Sequence, residues 1–338
     1  MRPSGDITEY QTSVFDQLYS IPQDIIDEVI KAIKSTPNSG KLDIRGSVGF
    51  SGNLKRLDTL TFADKSVLVL ENVDADFIAI AAKELVLDIK NPQYRASISR
   101  LLGEKEKQLF ADKLDGKPGA VGNSPPYKHG YIDGKNGLPG DPGGPGGNGG
   151  WGETQKIPPF FFFVQRIDFG VYGNFGEQFF DFHFGGFRGG NGGSGGRGGN
   201  GAQGSQGKQG IDSFIDCKHG PGRGGDGGTA GQGGRGGNAG AGGPGGTIML
   251  FAPKASVFNF TTAYIEGGPA GVAGAEGDVG ERGRSGAGGA SNGHCHGGPD
   301  GHFGKYPNPL TLGPGDPAQP GERGVQHVKS RDNSDLFA

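Results

Sequence analysis

The chain has 338 residues, of which 72 are Gly and 22 are Pro, with 32% hydrophobic residues and a formal net charge of −3. Glycine usually makes up roughly 7% of a protein, and so few apolar residues exclude one ordinary core across this length. The charge balance gives no electrostatic reason to expect nucleic acid or an anionic membrane as partner, and no apolar run reaches the ~18–20 residues that span a bilayer.

Residues 1–40 hold one predicted helix. Ser20 can cap it, Pro22 suits its first turn, and Ile25, Ile26, Val29, Ile30 and Ile33 form one apolar stripe. Thr36-Pro37 stops it, because the residue before proline disfavours helical backbone. Residues 41–115 form a β-rich domain in which Leu60 and Phe62, Leu68 and Leu70, Ile78 and Ile80, and Leu85, Leu87 and Ile89 repeat with period two. Short strands with Asn72, Asp74 and Asp76 between them fit a small β-solenoid or a β-meander, the solenoid being preferred.

From Gly116 to Gly324 the period becomes three. Glycine returns at every third position over 134–152, 186–210, 222–246 and 268–289. Three residues per turn is the period of the polyproline II helix, and its rise would stretch the run 186–210 over about 75 Å. Such a chain makes no internal hydrogen bonds, so its backbone groups must find partners elsewhere. A collagen triple helix is disfavoured by the short, interrupted runs and by the scarcity of proline in the two densest ones. Disorder is disfavoured by the sorting of side chains within the triplets. Over 186–201 the second place is mostly Gly and the third carries Arg188, Asn191, Ser194, Arg197 and Asn200. Over 222–246 the second carries Arg223, Asp226, Gln232, Arg235 and Asn238, and the third is Gly or Ala. Two bare faces and one polar face suit side-by-side packing of backbones.

The expected fold is therefore mostly irregular and β: a polyglycine II helix bundle over 116–324, preceded by the small solenoid or meander and one N-terminal helix. An aromatic insertion over 157–187 interrupts it, and residues 325–338 are a tail. These interrupted Gly-X-X and Gly-Gly-X runs resemble single-chain polyglycine II bundle proteins, namely snow-flea-type antifreeze proteins and the adhesins at the tail-fibre tips of T-even-like phages. They are also similar to uncharacterised bacterial glycine-rich collagen-like proteins. The resemblance implies architecture only; glycine triplets carry no functional residues across.

Two constellations stand out. Phe160, Phe161, Phe162, Phe163, Tyr172, Phe175, Phe179 and Phe180 crowd one segment. They form either a small core covering the glycine region or a sticky surface for a receptor, glycan or subunit, since exposed patches of this size mark interfaces. Cys217 and Cys295 are candidates for a disulfide pinning two connectors; with His219, His294, His296 and His302 nearby in sequence, a zinc site and free thiols are the other readings. No cofactor and no metal is expected, because the spacing matches no strong zinc signature and the Gly-x-Gly-x-x-Gly strings join no strand to a helix.

The leading expectation is a non-enzymatic structural or adhesive module whose rigid scaffold displays connectors to a protein or glycan partner. It expects no nucleic acid and no membrane span, and leaves an oligomer open. Localisation stays unassigned; without a signal-peptide core at the N-terminus, an extracellular or virion surface would be reached by another route. Alternatives are the N-terminal scaffold of a larger toxin or assembly protein and, third, an ice-binding protein. An enzyme is not expected, because no nucleophile lies beside a general base in any recognisable pattern.

Overall fold

The computed structural model describes residues 21–91, 93–101, 104–110, 114–121, 123, 153–170 and 179–338. In chain order it contains α1 (Gln23–Ser35), β1 (Lys41–Ile44), β2 (Ser47–Phe50), β3 (Leu54–Ala63), β4 (Val67–Leu70), β5 (Ile78–Asp88), β6 (Ala96–Arg100), α2 (Glu104–Leu109), β7 (Phe160–Asp168), β8 (Phe180–His183), β9 (Ile211–Asp212), β10 (Cys217–His219), β11 (Thr247–Ala252), β12 (Thr261–Tyr264) and β13 (Val325–Ser330).

Two parallel sheets organise the chain. The larger has six strands in the order β1-β3-β5-β7-β11-β13, and the smaller has five in the order β12-β8-β6-β4-β2. The chain passes from one sheet to the other and back, so each coil adds one strand to each sheet. Side chains alternate across a strand, and the alternation builds the core between the sheets. Leu60, Phe62, Ile80, Phe160, Phe162, Ile248 and Leu250 from the larger sheet meet Leu68, Leu70, Ile98, Phe180 and Phe182 from the smaller.

The larger sheet is buried on its other face as well. There α1 lays Ile26, Val29 and Ile33 over Ala79, Ala81, Phe161, Phe163, Met249, Phe251 and Leu336. Pro22 precedes the helix and Thr36 ends it in extended conformation. A strand buried on both faces is apolar without alternation. That is why four consecutive phenylalanines, each 0% exposed, stand in β7.

Expectation and structure part company on fold class. A polyglycine II helix bundle following a small β-domain is overturned by the sheets themselves, which take strands from both sides of the glycine runs and continue to Ser330. The class is a parallel β-rich fold, and its parallel pairing also excludes the meander. The physical reason is that the aromatic insertion and the apolar segment 247–264 bury their side chains in the core of the sheets. They are coils of the same sheets, and they dictate where the runs begin and end.

The glycine runs are extended excursions from one corner of the coil, between a strand of the smaller sheet and the next strand of the larger. The chain crosses this corner directly after β2 and β4. After β8 it departs over 184–246, and after β12 over 265–324. Sheet register continues into the excursions. β8 pairs with β12 from Phe180↔Thr261 to His183↔Tyr264. Beyond the sheet, the N–H groups of Phe184, Gly186 and Gly189 donate to Tyr264, Glu266 and Pro269 O at 2.8, 2.8 and 2.9 Å. The same spacing of three persists to Gly207, which donates to Ala287 O at 2.9 Å.

Within an excursion the outgoing and returning runs are antiparallel. Gly225, Gly228 and Gly231 donate to Ser205, Ala202 and Gly199 O at 2.9, 2.8 and 2.8 Å. Close backbone approach accounts for the bare positions. A Cβ on Gly192 would lie 2.0 Å from Gly237 O and 2.7 Å from Gly274 N, while one on Gly193 would lie 2.1 Å from Lys117 O. Gly-Gly-X thus occurs where a run is backed by neighbours on two sides, and only the third residue reaches solvent.

Candidate functional site: the cysteine-pinned hairpin tip

The run 186–210 leaves β8 and the run 222–246 returns to β11, so the connector between them lies at the far end of the excursion. Here β9 and β10 pair antiparallel, with Cys217 opposite Asp212 and His219 opposite Ile211. Ser213 and Asp216 close the turn between them. Ser213 N donates to Asp216 O at 2.9 Å, and Asp216 N donates to Ser213 Oγ at 3.1 Å. Phe214 and Ile215 sit at the apex, 98% and 81% exposed.

The connector is tied to the tip of the next excursion. Cys217 and Cys295 form a disulfide with Cα atoms 4.9 Å apart, closing a loop with a sequence separation of 78. Disulfide crosslinks typically contribute about 2–4 kcal/mol, and more for longer loops. Cys295 is itself held in a tight antiparallel turn, exchanging N–H···O bonds with Asn292 at 2.7 and 2.9 Å. Asp212 adds a polar link, accepting the His294 N–H at 3.1 Å and facing its Nδ1 at 3.2 Å. The hydrogen bond from the His294 backbone, above all, holds the Asp212 carboxyl below the usual aspartate range, with the His294 ring adding to it. Because the folded value is lowered, this link is complete above the ordinary aspartate pKa of about 3.9 and is lost as pH falls through the lower folded value.

The aromatic residues predicted to bind lie elsewhere. Phe160 and Phe162 point into the core between the sheets, Phe161 and Phe163 lie under α1, and Phe179 and Phe180 are 8% and 1% exposed. Their sticky-surface reading is corrected: the rings are core, Phe163 stacked on Phe251, Phe179 stacked on Phe260, and Phe160 tilted against Phe182. Tyr172 and Phe175 lie outside the described residues. Cys217 and Cys295 come together with His294 beside them, but with the two sulfurs bonded to each other the zinc reading falls. No group of three or more His, Cys, Asp or Glu among the described residues could hold a metal ion.

Sequence reasoning passed over Phe214 and Ile215, because a lone Phe-Ile between glycine runs has no period to mark it. The available signal was its acidic bracket, Asp212 and Asp216, next to a cysteine. It also passed over a charged row on the outer face of the smaller sheet. There Asp181, 8% exposed in its side chain, takes Arg95 at 2.9 Å and faces His183 at 4.0 Å. The His183 ring stacks on Tyr264 with centroids 4.7 Å apart. Burial lowers the His183 pKa, and the Asp181 charge opposes that shift.

Fold and tip together define a class: a parallel two-sheet coil that extends glycine-rich hairpins from one corner and braces their ends with a disulfide. No family model matches the sequence, and no curated protein matches it. Among solved structures, the chain aligns with a nine polyproline type II helical bundle springtail antifreeze protein from Granisotoma rainieri. Identity is 22%, coverage is 64% of this chain and 98% of that one, and the TM-score is 0.12. A likeness that loose carries no argument about fold or function.

Proposed function

We propose that the chain is a non-enzymatic structural and adhesive module, in which stacked glycine hairpins hold the Ile211–His219 connector toward a partner protein with an apolar cleft. One observation carries the reading: two large apolar side chains stand almost fully in solvent on a loop whose backbone is fixed. Exposing Phe214 and Ile215 costs hydration free energy that their burial in a partner would recover. Aromatic anchors filling pockets dominate many interfaces, and a loop ordered beforehand loses little entropy on docking. A disulfide persists in an oxidising compartment, which supports a setting outside the reducing cytosol. No helix among the described residues is long and apolar enough to cross a membrane.

The test is binding of labelled protein to intact cells and to a displayed peptide library, with and without Phe214→Asp and Ile215→Asp. Saturable binding should weaken about tenfold or more per anchor, while the melting temperature stays unchanged. Saturable binding that ignores both substitutions, or none to any surface, contradicts the proposal.

A further inference from the structure

A second exposed patch lies on the last excursion, away from the connector. Phe303 and Tyr306 are 56% and 51% exposed. They stand one triplet apart on the run leading to β13, a separation of about 9 Å at the polyproline II rise. The backbone between them is fixed from two sides. Gly301 and Gly304 donate to Gly286 and Gly283 O at 2.9 Å each, while His302 and Lys305 O accept from Gly227 and Ala230 at 2.8 and 2.9 Å. The rings therefore project from a straight, ordered edge.

Arg282 lies across both rings, its Cζ 5.1 Å from the Phe303 centroid and 5.6 Å from that of Tyr306. Its guanidinium is exposed and makes no hydrogen bond or ion pair with the described residues. Among the acids of the adjoining stretches, Glu281 pairs with Arg197 at 3.2 Å, Asp300 accepts the Gly288 N–H at 2.8 Å and Glu276 accepts from Thr311 at 2.6 Å, while Asp278 is exposed on the same run, four residues before Arg282. Exposed Arg284 and Lys305 flank the patch in sequence and add positive charge.

We propose that Arg282, Phe303 and Tyr306 form a binding site for an acidic polysaccharide, with uronate sugars as the recognised unit. The parts of the two rings left exposed beside the guanidinium offer apolar contact for the C–H face of a pyranose. A planar guanidinium with open N–H donors suits the bidentate geometry of a carboxylate, and the rings beneath hold it in place. Two platforms on one straight edge match an extended chain of sugars better than a single carboxylate. An acidic peptide would use the guanidinium but not the spaced rings.

Titration with oligogalacturonate, its fully methyl-esterified neutral form and polyglutamate separates these cases. Oligogalacturonate should bind about tenfold or more tightly than the other two. Arg282→Gln should lose that margin, Phe303→Ala and Tyr306→Ala should each weaken binding several-fold, and Tyr306→Phe should retain it. Phe214→Asp should leave this binding intact, so this site and the connector fail or stand separately. No binding of oligogalacturonate overturns the proposal. So does polyglutamate binding of equal strength that survives Phe303→Ala and Tyr306→Ala.

Discussion

Gly195→Ala will destabilise the protein by about 3 kcal/mol or more, the upper range for forcing volume into a packed interior. The added Cβ would lie 2.1 Å from Gly234 O and 2.7 Å from Gly277 N. Both atoms belong to backbone, so no side chain can swing aside. Gly234 O accepts the Gly277 N–H at 2.8 Å, and Gly195 N donates to Ala275 O at 2.8 Å. Moving either neighbour breaks a bond in a ladder that joins three runs. Ser194→Ala, one residue away on the exposed face, should stay within about 0.5 kcal/mol. Denaturant unfolding of the two variants measures the contrast, and equal stabilities would mean that the runs do not touch.

Phe162→Ala should cost about 3–5 kcal/mol, as for other large-to-small changes in a core that cannot collapse. Phe162 is 0% exposed and central in the larger sheet, paired in register with Ile80 on one side and Leu250 on the other. Its ring packs 5.9 Å from Phe160, 6.3 Å from Phe182 and 6.5 Å from Phe258, centroid to centroid. The cavity would open between the two sheets. Unfolding measurements on Phe162→Ala should show the loss. Partner binding by the molecules that remain folded should not change, which separates a core ring from an interface ring.

Much of the framework is legible in the sequence. Ile26, Val29 and Ile33 of the apolar stripe face inward on α1, and Leu60, Phe62, Leu68 and Leu70 lie on strands with the expected alternation. Other features are hidden for physical reasons. Phe160–Phe163 show no alternation because both faces of β7 are covered, so a core strand looks like a sticky run. β8 and β12 are four residues each, too short for periodicity to register. Their pairing joins positions separated by a whole glycine excursion, and only the sheet supplies that register. Period three dominates the reading because it is long and repetitive, although the short apolar strands determine the fold class. The disulfide candidate was visible as two cysteines at ends of runs. Phe214 and Ile215 were not, because exposure at a turn apex depends on what surrounds the turn.

The glycine runs are ordered layers carrying the register of the parallel sheets. Residue-resolved amide hydrogen exchange over 222–246 tests it most directly. The N–H groups of Gly222, Gly225 and Gly228 donate to the run 186–210, those of Gly224, Gly227 and Ala230 donate to the run after Gly297, and among the described residues no backbone carbonyl takes those of Asp226 and Thr229. Slow exchange is expected at two positions of every triplet and fast exchange at the third, repeated along the run. Uniformly fast exchange across 222–246 would contradict it.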